Sequence, residues 1–92
     1  MDKNFPLDRL FEAILTLKTK DECAQFFADA CTPKELQAIA QRFTVAEMLY
    51  GKQVYSDIIE QTGASTATIS RVSRSIKDGY KMAFERLKQA NE

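Results

Sequence analysis

The placement of helix breakers is the strongest constraint on this 92-residue chain. It contains three glycines (Gly51, Gly63, Gly79) and two prolines (Pro6, Pro33), and the segments between them carry apolar residues at helical rather than alternating spacing. This punctuation predicts an all-helical chain. Leu7, Leu10, Phe11, Ile14 and Leu17 follow the i, i+3, i+4, i+7 rule, and Pro6 suits a first helical position where no backbone donor is needed, giving a helix over roughly 6–17. Thr19-Lys20-Asp21-Glu22 reads as a capping box ahead of Cys23, Phe26, Phe27 and Ala30, giving a second helix over roughly 20–30.

Thr32-Pro33-Lys34-Glu35 repeats the capping box with proline at the first helical position. The helix that follows spreads its apolar residues (Leu36, Ala38, Ile39, Ala40, Phe43, Val45, Ala46, Met48, Leu49, Tyr50) over more than one stripe. It is expected to be the core helix, contacted from several sides and stopped by Gly51. A lone polar residue in it, notably Arg42, either snorkels outward or serves a site.

With 45% apolar and 28% charged residues, the chain reads as one small soluble domain. A domain of this size buries only about 60% of the surface its unfolded form exposes, so dimerisation is expected to supplement its stability. Histidine and tryptophan are absent, and Cys23 and Cys31 have neither metal-ligand spacing nor the makings of a disulfide framework. Histidine-based catalysis and a zinc finger are thereby excluded. With no apolar signal core and no run near the ~18 residues of a membrane span, the expectation is a cytoplasmic protein without a membrane partner.

The thirteen basic and thirteen acidic residues cancel, but unevenly. Between Ala64 and Lys77 stand Arg71, Arg74 and Lys77 and no acid. Such a run is either a solvated helix face or part of a nucleic-acid footprint, and charge alone does not decide between them.

Spacing adds to this. Tyr55, Ile58, Ile59 and Thr62 read as a helix, Gly63-Ala64-Ser65 as a tight turn, and Ile69, Val72 and Ile76 as the apolar face of a second helix. Gly63 supplies the positive φ needed to leave the first helix and Ser65 a cap for the next, the punctuation of a helix-turn-helix. Ile58, Ile59, Ala64, Ile69 and Val72 are expected to pack the two helices together, with Ile59, where such units often carry alanine, loosening the fit. Ala67, Ser70, Arg71, Arg74 and Lys77 then point away from the packing. Thr66, Ala67, Thr68 and Ser70 are the candidates to meet bases or phosphates, and Arg74 and Lys77 to hold phosphates. Six hydroxyl residues among positions 65–75 are poor helix formers, so a reason other than helix propensity is needed for them.

Thr32-Pro33, Gln41-Arg42, Gly63-Ala64 and Ala67-Thr68-Ile69-Ser70-Arg71, with Ser73, Ser75 and Lys77, together resemble the tryptophan repressor family, most closely its YerC/YecD branch. The resemblance implies an intertwined, all-α homodimer whose helix-turn-helix pairs read two half-sites of a palindromic operator about one DNA turn apart; the Trp repressor is itself a type example of that docking geometry. It divides a single domain into dimerisation helices (1–31), a core helix (32–50), the helix-turn-helix (54–78) and a C-terminal helix (80–90).

The resemblance further implies an amino-acid corepressor clasped by Arg42 and Arg71, with Ser75 near its amino group and Thr32 lining the pocket. Val72 stands where the repressor has glycine and adds volume beside the slot for a flat indole. Read from residue chemistry alone, an arginine on a core helix such as Arg42 usually snorkels, and one on a recognition helix such as Arg71 usually contacts phosphate. The competing reading of the whole chain is a helical interaction module that docks a protein partner. An enzyme is the weakest reading, because no nucleophile and base stand together.

Overall fold

A computed structural model describes residues 6–91. Six helices follow one another with no strand among the described residues: α1 (Leu7–Leu15), α2 (Lys20–Ala30), α3 (Pro33–Tyr50), α4 (Tyr55–Thr62), α5 (Thr66–Ser75) and α6 (Asp78–Ala90). The chain forms two compact units, one ending at Leu36 and the other beginning at Gln37, so the division falls one turn into α3.

In the first unit the helix starts follow the expected capping chemistry closely. The Thr32 hydroxyl accepts the Glu35 amide at 3.1 Å and the Glu35 carboxylate accepts the Thr32 amide at 2.8 Å, a complete reciprocal box with Pro33 as the first helical residue. The Thr32 amide donated to the carboxylate, and secondarily the Thr32 hydroxyl, hold the Glu35 carboxyl below its usual value. The box at α2 differs by one residue: Thr19 accepts the Glu22 amide at 3.0 Å, whereas Glu22 reaches past Thr19 to the Lys18 amide at 2.8 Å. At α1, Pro6 lies just outside the helix, and the helix ends at Leu15 rather than running to Leu17. There the Thr16 hydroxyl bonds the Ala13 carbonyl at 2.6 Å and the Leu17 amide bonds Ile14, tightening the last turn into i→i−3 bonds.

Neither α1 nor α2 contains a buried residue. The stripe expected on α1 is present, but Leu7, Leu10, Phe11 and Leu15 lie exposed, Leu15 at 83%. Phe26 and Phe27 of α2, half-buried, meet edge to face with centroids 5.2 Å apart.

The second unit holds the core. Val45, Ala46 and Met48 of α3, Ile58 of α4, Ala64 of the turn, Ile69 and Val72 of α5 and Phe84 of α6 form one buried cluster. The core helix is therefore buried only in its C-terminal half, and Ile39 is 41% exposed. Aromatic rings tie α6 to α3: Phe84 lies 5.1 Å from Phe43 and 5.2 Å from Tyr50, and Tyr80 lies 5.5 Å from Phe43, all between centroids. Pairs at these separations add roughly 0.5–1.5 kcal/mol each beyond their burial.

Two glycines behave differently from expectation. α3 ends in a Schellman motif whose left-handed residue is Lys52 (φ 62), not Gly51: the Lys52 amide bonds Leu49 at 2.9 Å and the Gln53 amide bonds Met48 at 3.0 Å. Gly79 lies inside the first turn of α6, which starts at Asp78 rather than 80, where a glycine leaves fewer intrahelical bonds at stake.

Candidate nucleic-acid interface

The link between α4 and α5 takes three residues. Gly63 adopts φ 73, the left-handed conformation that lets the chain leave α4 without a Cβ penalty. Ala64 turns inward and is buried, while Ser65 caps α5, its hydroxyl accepting the Thr68 amide at 3.1 Å. Thr62 braces the turn from behind: its hydroxyl donates to the Ile58 carbonyl at 2.7 Å and accepts the Ala64 amide at 3.1 Å. Gln41 of α3 donates its side-chain amide to the Thr62 carbonyl at 3.1 Å. This contact was not read from the sequence, although an uncharged amide on the core helix beside Arg42 is the kind of residue that signals one.

α4 and α5 pack on each other through Ile58, Ala64, Ile69 and Val72, as the spacing requires. Ile59 does not join them. It is 38% exposed, as Tyr55 one helical turn earlier is 39% exposed, and it stands outside the buried cluster that joins the pair.

The outer side of α5 carries the candidate contacts. Thr66, Ala67, Arg71 and Arg74 are exposed, and Thr68 and Ser70 are half-buried at the edge of the packed face. The beginning of the helix, with its unsatisfied amides and positive dipole end, is thus open to solvent, and its first turn has no acid. Lys77 is exposed but does not lie on α5: the helix stops at Ser75, Ile76 is extended (ψ 128), and Lys77 stands at the N-cap of α6. The shared helical face expected for Ile69, Val72 and Ile76 therefore ends at Val72, although Ile76 still packs beside the core. Among the described residues no ion pair engages Arg42, Arg71, Arg74 or Lys77, and Arg74 lies at the C-terminal end of α5, where the dipole favours a cation.

The residues considered for a ligand are Arg42, Arg71, Ser75 and Thr32. Arg42 and Arg71 are exposed on α3 and α5, and the Ser75 hydroxyl donates to the Val72 carbonyl at 3.1 Å. Thr32 lies in the first unit, its hydroxyl occupied as a cap. Val72 is 4% exposed, its side chain inside the core. Among the described residues no group of three His, Cys, Asp or Glu side chains could hold a metal, and no helix is long and apolar enough to cross a membrane.

The family described as Trp repressor protein matches residues 6–90, nearly the whole chain. This chain belongs to the Trp repressor family. Within it the chain resembles the YerC branch: it is 51% identical over 86 residues to YerC of Bacillus subtilis (strain 168), covering 90% of this chain and 83% of that protein. The solved structure of a TrpR-like protein from Eubacterium eligens ATCC 27750 superposes with a TM-score of 0.87 at 53% identity, over 94% of this chain and 92% of that one. A candidate Trp repressor from Staphylococcus aureus gives 0.84 at 49% identity, over 89% and 85%. The all-α Trp-repressor fold is thereby established, and the Trp repressor family is one of DNA-binding regulators.

Proposed function

We propose that the protein is a sequence-specific transcriptional repressor that binds a palindromic operator as a homodimer. The observation that carries this reading is the solvent-open start of α5 behind the Gly63 turn, with small and hydroxyl side chains at its first turns and unpaired cations further along. In helix-turn-helix proteins the first turns of the second helix meet base edges. Thr66, Ala67, Thr68 and Ser70 then face bases and nearby phosphates, and Arg74 and Lys77 hold the backbone, Lys77 from the link to α6. What supports the dimer is the first unit, where an amphipathic α1 with no buried residue offers its apolar face to a second copy.

A ligand-dependent form of the same reading has an amino-acid carboxylate captured by Arg42 and Arg71, two exposed guanidinium groups suited to bidentate contact. Enrichment from a pool of random duplexes, with and without free amino acids, tests both parts: a two-fold symmetric enriched site supports the dimeric reader, and its dependence on an amino acid supports the ligand.

A further inference from the structure

The turn that aims α5 is buttressed from the core helix by one polar contact. The carbonyl of Thr62 is among the last four of α4, which have no intrahelical partner. It is part-buried, and the Gln41 carboxamide satisfies it at 3.1 Å from a position 21 residues earlier. The other side-chain hydrogen bonds among the described residues join positions no more than four apart. Beside this contact lies a hollow of about 240 Å³ lined by Ala40, Gln41, Thr44, Gln61 and Thr62. The surface between α3 and the end of α4 is therefore hollowed beside this contact, and the amide is the hydrogen bond that joins the two helices there. Thr62 passes the constraint on, because its hydroxyl holds both Ile58 and the Ala64 amide on either side of Gly63.

We infer that Gln41 is a positioning residue: its carboxamide locks the Thr62–Gly63–Ala64 turn to the core helix and so fixes how α5 is presented to DNA. The inference rests on the DNA-binding reading for its consequence, but not for its geometry. Loss of the donor leaves a part-buried carbonyl unsatisfied and frees the turn, while the hydrophobic cluster of Ile58, Ala64, Ile69 and Val72 stays intact.

Two variants of the full chain test it. Gln41→Met keeps length and apolar stem and removes the donor. Gln41→Glu removes the donor only while the carboxyl is ionised, since the protonated acid can donate again. Amide exchange is expected to accelerate about tenfold at Gly63 and Ala64 in both variants at neutral pH, with α6 unchanged. In Gln41→Glu the acceleration, measured against wild type at each pH, should vanish as pH falls through the carboxylate range. A merely structural loss would show no such pH profile. On the duplex that wild type enriches from a random pool, both variants should bind about tenfold more weakly at neutral pH with an unchanged salt slope. Turn amides that exchange as in wild type, or acceleration spread evenly over the chain, would overturn the inference. If wild type enriches no duplex, the DNA reading fails by itself, and the exchange comparison still decides the role of Gln41.

Discussion

The Ser65 hydroxyl accepts the Thr68 amide and donates to the Thr68 hydroxyl, both at 3.1 Å. The cap that starts α5 therefore also orients one of its candidate DNA contacts, leaving the Thr68 hydroxyl proton to point elsewhere. Ser65→Ala should lower stability by about 1 kcal/mol, the usual cost of an N-cap, measurable by urea unfolding. It should also weaken duplex binding beyond that of Ser73→Ala, an exposed serine on the same helix.

Glycine positions divide by φ rather than by residue type. Gly63→Ala should cost about 1–2 kcal/mol although nothing lies within 4 Å of the added Cβ, because the left-handed backbone alone is penalised. Lys52→Gly should gain about 1 kcal/mol by relieving the left-handed lysine. Gly51→Ala should be neutral or gain about 0.4–1 kcal/mol, since its φ is not positive and its Cβ would meet only ordinary contacts at 3.6 Å. Equal effects at all three positions would contradict the assigned termini.

Much of this was legible in the sequence, for local reasons. Caps and the Gly63 turn are decided within four residues, so Thr19, Thr32, Ser65 and Gly63 could be read directly. What was missed depends on contacts across the chain. Phe84 and Tyr80 join the core through rings on α3, and Gln41 meets Thr62, both beyond the reach of periodicity. The end of α5 was misjudged because Ile76 continues the apolar spacing after the backbone has become extended, which moved Lys77 off the helix. Gly51 drew the helix stop to itself, whereas Lys52 accepts the left-handed strain in exchange for a complete Schellman pair of hydrogen bonds.

The Thr32–Glu35 box makes the start of α3 pH-sensitive. Glu35 titrates below its usual value in the folded chain, so its contribution is fully present above the ordinary glutamate range and is lost as pH falls through the lowered folded value. Amides at the start of α3 should lose protection on acidification in wild type, and Glu35→Gln should flatten that profile.

The exposed face of α1 gives a direct test of association. Leu15→Asp or Phe11→Asp should shift the protein from dimer to monomer in sedimentation equilibrium, with a loss of helix content, because neither α1 nor α2 has a core of its own. A wild-type protein that is monomeric at high micromolar concentration would contradict the proposed dimer.

Within the interface, phosphate and base contacts should separate. Arg74→Ala should weaken all duplexes to a similar degree and reduce the salt slope by about 2, one phosphate contact being lost from each copy of the dimer, whereas Ser70→Ala should change preference at particular base pairs. Arg74 variants that alter sequence preference while leaving the salt slope intact would reverse these roles.

The most direct test of the central claim is the affinity of the wild-type protein for its enriched duplex, measured across a range of salt concentrations. A DNA reader built on α5 should show log affinity falling linearly with log salt, with a slope of several units, as phosphate contacts by Arg74, Lys77 and their counterparts in the second copy release counterions. An affinity that is flat in salt, or no duplex binding at low salt, would contradict it and favour a surface that docks protein instead.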